Sequence, residues 1–156
     1  MRCLYIGLLL TGLTMSANAQ VLVLGSGLAK DCYEAAETVR LTPKSSIETC
    51  SKALDHEVLS KNDRMSTLIN RGILYMRNGE YTQAMADYED ALKINPNKGE
   101  TFLNIGAAHI YREEYAEAKD AIDKAIELGT TDLYAAYYNR AIAQERLGDI
   151  TSAYWD

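Results

Sequence analysis

The chain of 156 residues contains only two prolines, ten glycines, one phenylalanine and one tryptophan, whereas it has eleven tyrosines. So little proline and glycine argues against a turn-rich β-sandwich and favours long helices. Basic residues are not in excess, since 16 Lys and Arg stand against 22 Asp and Glu and give a net charge of −6. This balance disfavours broad nucleic-acid binding and attachment to anionic lipids. The apolar share of 47% excludes disorder along the whole chain.

The longest apolar run is too short to cross a bilayer. It extends from Leu4 to about Met15, whereas a membrane-spanning helix needs about 20 residues. Arg2 precedes the run, and Ala17 and Ala19 follow it in the small-x-small pattern that a signal peptidase requires. We therefore predict a cleaved signal peptide at residues 1–19, a periplasmic or secreted protein, and no stable membrane insertion after cleavage. A retained membrane anchor is the alternative.

Only three cysteines are present, and Cys3 would leave with the signal peptide. Cys32 and Cys50 remain, an even number in an oxidising compartment, and we predict that they form a disulfide. The alternative is two buried thiols that act as small apolar side chains. Neither cysteine belongs to a Cys-x-x-Cys motif or has a histidine near it in the sequence, so metal binding and redox chemistry are disfavoured.

A repeat organises the remainder of the chain. The triplets that begin at Asn70, Asn104 and Asn139 end in a small residue, and these small residues lie 34 and then 35 positions apart. Further columns keep the same spacing: Tyr81, Tyr115 and Ile150; Ala84, Ala118 and Ala153; Ala91 and Ala125. Each unit contains two amphipathic helix patterns with a short turn between them. The small residues Gly72, Gly106 and Ala141 are expected to let the paired helices approach closely.

These columns resemble the tetratricopeptide repeat. The first unit carries the signature in full, with Leu68, Asn70-Arg71-Gly72, Tyr75, Gly79, Tyr81, Ala84, Tyr88, Ala91 and Pro96. The second unit departs from it with His109, Glu113 and Thr130, and the third with Ala141 and Gln144. The resemblance implies an all-α, right-handed α-solenoid of antiparallel helix pairs. It divides the chain into the signal peptide (1–19), a linker (20–28), a degenerate helix pair (29–64), two repeats (65–98 and 99–133) and an incomplete third repeat (134–156).

The final residues, Ala153, Tyr154 and Trp155, are more apolar than the outer face of a terminal repeat normally is. Two explanations remain open at this point. The sequence is a piece of a longer array, or another protein covers this edge.

The resemblance also implies a concave groove lined by the first helix of each unit. Asparagine amides can pair with both the N–H and the C=O of an extended peptide, so Asn70, Asn104 and Asn139 are the predicted ladder. The alternative is that each asparagine bonds the neighbouring helix and only spaces the units. The other predicted peptide-binding residues follow by offset from the small residues: Ile69, Ile73, Met76, Arg77, Leu103, Ala107, Ile110, Tyr111, Tyr138, Ile142 and Arg146. We expect an exposed, mostly apolar floor with charge at one rim.

Arg71 and Arg140 follow two of the asparagines and can pair with acidic side chains of the adjacent helix or with a ligand carboxylate. The sequence contains no catalytic constellation, so we predict no enzyme activity, no cofactor and no bound metal. The leading interpretation is a non-enzymatic adaptor or scaffold of the bacterial envelope that binds a peptide or protein segment. The alternative is a self-assembling homodimer that uses its open C-terminal edge.

Overall fold

The computed structural model describes residues 27–38 and 44–156, and the regular structure of these residues is helical. Eight helices follow one another in this part of the chain: α1 (Leu28–Glu37), α2 (Lys44–His56), α3 (Lys61–Arg77), α4 (Tyr81–Ile94), α5 (Gly99–Tyr111), α6 (Tyr115–Glu127), α7 (Leu133–Arg146) and α8 (Ile150–Trp155). The predicted signal peptide and most of the predicted linker lie outside the described residues. The prediction of an all-α fold is confirmed.

The turn inside each repeat unit requires one residue in the left-handed region. Gly79 has φ 78° and Gly148 has φ 86°, and both follow the first helix of their unit. In each case the next backbone N–H donates to a carbonyl five residues back, from Glu80 to Tyr75 and from Asp149 to Gln144, at 2.9 Å. This geometry ends a helix by satisfying its last carbonyls. In the second unit Glu113 takes the same conformation with φ 61°, although it has a side chain.

The paired helices of the first two units leave no room for a side chain at their glycines. A Cβ atom on Gly72 would lie 2.4 Å from Cε1 of Tyr88, which is fully buried. A Cβ atom on Gly106 would lie 2.4 Å from Cγ1 of Ile122 and 3.2 Å from the carbonyl oxygen of Ala118. The close approach predicted at these two glycines is confirmed, and the contacting residues are now identified.

Successive helices pack against each other in chain order, and the first helices of neighbouring pairs also touch, as α1 touches α3 and α5 touches α7. The largest group of buried side chains lies between α3, α4 and α5 and includes Leu68, Ile73, Tyr88 and Ile105. This packing of adjacent helix pairs is that of an α-solenoid. Helix α8 differs from the others, because none of its residues is buried.

Helix α1 is attached to the rest of the molecule by side chains at both ends and in the middle. The Glu57 carboxylate accepts hydrogen bonds from the backbone N–H groups of Leu28 (2.7 Å) and Ala29 (3.1 Å). At the other end, Arg77 of α3 donates to the carbonyl oxygen of Thr38 at 2.7 Å. Between them the sulfurs of Cys32 in α1 and Cys50 in α2 lie 2.14 Å apart, as the predicted disulfide requires; the bond itself stays a prediction.

Among residues 27–38 and 44–156, no helix combines the length and the apolar character needed to cross a membrane.

Candidate protein-binding surface

The three asparagines of the predicted ladder are buried. Asn70 and Asn104 are fully enclosed in α3 and α5, and Asn139 of α7 is 3% exposed. The Asn139 amide nitrogen has no hydrogen-bond partner among the described residues. Burial means that a peptide could reach these amides only after some side-chain movement, so their role in peptide binding stays a prediction.

The predicted apolar floor of α3 and α5 is not exposed. Ile69, Ile73 and Met76 belong to the main buried group. Leu103 and Ala107 of α5 are buried as well. These side chains contribute packing between helices. Their assignment to ligand binding stays a prediction.

The residues five positions after each small residue form joints between units. Tyr111 stacks on Tyr81 with ring centroids 5.6 Å apart and an interplanar angle of 15°. Arg146 lies over the ring of Tyr115, 5.6 Å from its centroid, and donates to its hydroxyl at 3.3 Å. Tyr81 and Tyr115 are the first residues of α4 and α6, so the same two positions meet at both joints. The predicted rim residues therefore also connect neighbouring units.

Exposed candidate residues are concentrated on α7. Tyr138 is 42% exposed, Arg146 is exposed, and Ile142 is half-buried. Tyr138 stacks on Tyr134, with centroids 6.4 Å apart and ring planes within 8°. Of the remaining candidates, Arg77, Ile110 and Tyr111 are half-buried. Tyr134 was not predicted, although the spacing of four between two tyrosines on a helix would have indicated the stack.

Arg71 of α3 connects this helix to α2 and α4 through hydrogen bonds. Its guanidinium donates to both carboxylate oxygens of Asp87 in α4, at 2.7 and 2.8 Å, and to the Ser51 hydroxyl of α2 at 2.9 Å. Arg140 repeats this arrangement in the third unit, where it donates to Asp123 of α6 at 2.8 Å and to Asp156 beyond α8. The second unit carries Ile105 and Ala121 at the corresponding positions. Both arginines therefore pair within the protein, as one of the two sequence interpretations expected.

Burial determines the electrostatics of these pairs. It raises the pKa of the Asp87 carboxyl, and the hydrogen bonds from Arg71 offset only part of this rise. The Asp87 carboxylate in turn raises the pKa of Arg71. Around Asp123, burial opposes ionisation, but hydrogen bonds from Lys119 and Arg140 outweigh it and lower the pKa. In the Arg71–Asp87 pair, the effect of burial on the carboxyl pKa is therefore larger than the opposing effect of the arginine. In the more exposed Arg140–Asp123 pair, the hydrogen bonds have the larger effect.

Nothing in the described part of the chain is arranged as a metal centre, since no group of three or more His, Cys, Asp or Glu side chains is close enough there to hold an ion. The described surface carries exposed tyrosines on α7 beside charged and polar side chains.

The fold places the chain among α-solenoids of stacked helix pairs. Residues 66–98, which comprise most of α3 together with α4, match the family model of the tetratricopeptide repeat. This segment is a tetratricopeptide repeat, as the columns of the sequence indicated.

Curated relatives match about half of the chain. The photosystem I assembly protein Ycf3 of Acaryochloris marina is 32% identical over 80 residues, which are 51% of this chain and 47% of that protein. Human tetratricopeptide repeat protein 6 is 32% identical over 75 residues, 48% of this chain and 14% of that protein. Human superkiller complex protein 3 is 32% identical over 76 residues, 49% of this chain and 5% of that protein. The chain thus spans less than half the length of each of these relatives. The tetratricopeptide repeat at residues 66–98 is a unit of the kind that mediates contacts between proteins.

Proposed function

We propose that this protein is a non-enzymatic adaptor that holds a peptide or protein segment against the concave side of its first helices, and that α7 provides the accessible part of that surface. The observation that carries the proposal is the parallel stack of Tyr134 and Tyr138, which remains open to solvent. Rigid aromatic side chains contribute much contact area at low entropic cost. An assembly protein among the relatives agrees with an adaptor role.

Polar groups beside the stack support contact with a peptide backbone. Asn139 follows Tyr138 directly, and a ligand carbonyl that reached its amide nitrogen would satisfy a buried donor that has no acceptor among the described residues. Arg146 lies two turns further along α7 and is exposed. The ligand we propose is therefore an extended segment with an apolar or aromatic side chain and an acidic group. Asn70, Asn104 and the apolar residues of α3 and α5 would join the contact if the groove opens.

An unbiased peptide library displayed on phage, selected against the immobilised full chain, tests this proposal. Selected peptides are then titrated by fluorescence anisotropy against wild type, Tyr138→Ala and Val58→Ala. We expect the Tyr138→Ala variant to bind about tenfold more weakly, because it removes an aromatic contact of roughly 1.4 kcal/mol. Val58 is exposed in the connector before α3, so its variant should bind like wild type. Equal affinity of wild type and Tyr138→Ala would place the ligand elsewhere.

The proposed site of action is the bacterial envelope, and the support for it is the N-terminal sequence. An apolar run of about a dozen residues, followed by Ala17 and Ala19, is typical of a cleaved signal peptide. Expression in a Gram-negative host, followed by intact-mass analysis of the periplasmic fraction, is the test. The expected product begins at Gln20. A cytoplasmic product that retains residues 1–19 would contradict export.

A further inference from the structure

Arg77, the last residue of α3, differs from the other partly buried arginines of this protein. Three arginines are half-buried in the described part of the chain: Arg71, Arg77 and Arg140. Arg71 and Arg140 each form an ion pair with an aspartate. The Arg77 guanidinium instead donates to the backbone carbonyl oxygen of Thr38, directly after α1, at 2.7 Å. It has no carboxylate partner among the described residues.

No other part of the sequence can supply the missing carboxylate side chain. Residues 1–26 and 39–43 contain neither Asp nor Glu, so all 22 acidic residues belong to the ranges that the structure describes. The carboxylates that pair with arginines in these ranges are engaged by Arg71, Arg112 and Arg140. In this conformation, a carboxylate for Arg77 therefore has to come from outside these 156 residues.

A tyrosinate does not replace the carboxylate. Tyr88 is the ionisable neighbour that acts on the pKa of Arg77, and its hydroxyl has no hydrogen-bond partner among the described residues. Burial raises the pKa of Tyr88 well above its ordinary value, so this hydroxyl stays neutral. The carbonyl ends of α1 and α3 carry only partial negative charge, about half an elementary charge each. The positive charge of Arg77 thus has no full counter-charge in the described part of the chain.

Burial makes an unpaired guanidinium unfavourable. It lowers the pKa of Arg77, because a cation that leaves water loses hydration. The guanidinium nevertheless stays protonated and has five N–H donors. A carboxylate restores the lost interaction through two parallel hydrogen bonds. Arg71 makes this contact inside the protein, where its guanidinium donates to both oxygens of Asp87 at 2.7 and 2.8 Å.

The surroundings of Arg77 favour a singly charged ligand over a phosphate. No second cation of the described residues acts on the pKa of Arg77, so one guanidinium would hold the ligand. Phosphate groups are typically bound by clusters of arginines. The chain also carries a net charge of −6, which repels a doubly charged phosphate more strongly than a carboxylate.

We propose that Arg77 binds a carboxylate of a polypeptide partner, either an acidic side chain or a chain end, where the end of α3 meets the end of α1. The guanidinium keeps its bond to the Thr38 carbonyl and offers its remaining donors to the ligand. The inference rests on the proposed function in one respect, since a bound peptide presents the carboxylate. Binding of the carboxylate itself does not require the contact with Tyr138.

NMR of the arginine Nε–Hε groups in the isotope-labelled full chain tests the proposal. One probe is N-acetylglutamate α-amide, which has a side-chain carboxylate, and the other is N-acetylglycine, which has a terminal carboxylate. N-acetylglutamine amide is the uncharged control, and all titrations are made at constant pH and ionic strength. We expect the Arg77 signal, identified by its loss in Arg77→Lys, to shift and to saturate with carboxylate but not with the amide. The probe that binds more tightly identifies the source of the carboxylate.

Arg64→Met is the matched control for Arg77→Met. Arg64 also lacks a carboxylate partner among the described residues and donates to a backbone carbonyl, that of Leu54, at 3.0 Å, but it is exposed. Both variants change the net charge equally. Arg77→Met should lose the saturable shift of the neighbouring backbone amides, whereas Arg64→Met should keep it with unchanged affinity. Circular dichroism checks that both variants retain the helical content of wild type.

Three results would overturn the proposal. The Arg77 signal could fail to saturate with either carboxylate, or the Arg64 signal could respond equally, which would indicate general screening of charge. Tighter binding of inorganic phosphate than of both carboxylates would assign the site to a different ligand. The probes contain no aromatic group, so Tyr138→Ala should bind them like wild type. Failure at Arg77 and failure of the proposed peptide contact at Tyr138 are therefore distinguishable.

Discussion

At the scale of single residues, the two glycines at the helix crossings have the clearest physical role. We expect Gly72→Ala to lower the free energy of unfolding by about 1–3 kcal/mol, since the new methyl group would overlap the buried ring of Tyr88. Urea unfolding followed by circular dichroism measures the change. In the double variant Gly72→Ala/Tyr88→Leu the two effects should not add, because the smaller side chain leaves room for the methyl group. Strictly additive losses would mean that this contact does not limit the helix separation.

Glu113 has a backbone conformation that favours glycine. We therefore expect a substitution there to increase stability, in contrast to the substitution of Gly72. A left-handed conformation costs a residue with a side chain about 1–2 kcal/mol. Glycine avoids this cost, but it loses more conformational entropy on folding, which cancels part of the gain. Glu113→Gly should therefore raise the free energy of unfolding by roughly 0.5–1 kcal/mol. The matched control is Gly79→Ala at the corresponding turn, where φ is 78° and a loss is expected. A destabilised Glu113→Gly variant would contradict this account of the turn.

At the scale of helices, the sequence predicted most of the fold, because small residues and turn signals recur at a fixed period. Tyr81 and Tyr115, which the sequence places in one column, are the first residues of α4 and α6. Helix α3 begins at Lys61, before the first residue of the predicted repeat at 65, because the Ser60 hydroxyl accepts from the backbone N–H of Asp63 at 3.1 Å and caps the helix.

The candidate surface could be predicted only in part. Periodicity does not tell how deeply a neighbouring element covers a side chain. Ile69 and Leu103 are therefore buried, whereas Tyr138 at the equivalent position of α7 is exposed. The contact between Arg146 and Tyr115 forms between two neighbouring units. The spacing of residues within a unit does not tell which side chains of neighbouring units touch.

The Arg71–Asp87 pair leads to a pH-dependent prediction between helices. Arg71→Met should cost about 3 kcal/mol near neutral pH, because it leaves a buried carboxylate without its guanidinium partner. Burial already raises the pKa of Asp87, and loss of the arginine raises it further. The folded variant therefore binds a proton more tightly than the unfolded chain, and stability is lost as the pH rises through this raised pKa.

Urea unfolding at about pH 4.5 and about pH 7.5 distinguishes this effect from simple loss of packing. The free energy of unfolding of Arg71→Met should differ less from that of wild type at the acidic pH, because protonation of Asp87 is more favourable there. Arg71→Met/Asp87→Leu is the control, and it should recover much of the lost stability because no buried charge remains. A deficit of the single variant that is the same at both pH values would mean that Asp87 is not the source.

At the scale of the whole molecule, stability is expected to vary along the array. Each repeat unit of a solenoid contacts only the neighbouring units, so units can open separately. Helices α3 to α6 are packed from both sides, whereas α8 has no buried residue. In the α1–α2 pair the sulfurs of Cys32 and Cys50 lie within bonding distance, and we predict that a disulfide between them stabilises this pair.

Reduction of that bond should release one end of the array. We expect the oxidised protein to have no reactive thiol at Cys32 or Cys50. The bond encloses residues 18 apart, so its loss should cost about 3 kcal/mol, which corresponds to roughly 100-fold faster amide exchange in α1 and α2. The hydrogen bonds from Glu57 and Arg77 lie near the surface and are too weak to replace it.

Helices α3 to α6 should keep their protection, and α8 should exchange fastest in both states. Hydrogen–deuterium exchange with mass spectrometry, before and after a dithiol reductant, measures all of these segments together. The Cys32→Ala/Cys50→Ala variant should not respond to the reductant. If α3 to α6 lose protection in step with α1, the array unfolds as one cooperative unit, and the bond stabilises the whole molecule instead of one end.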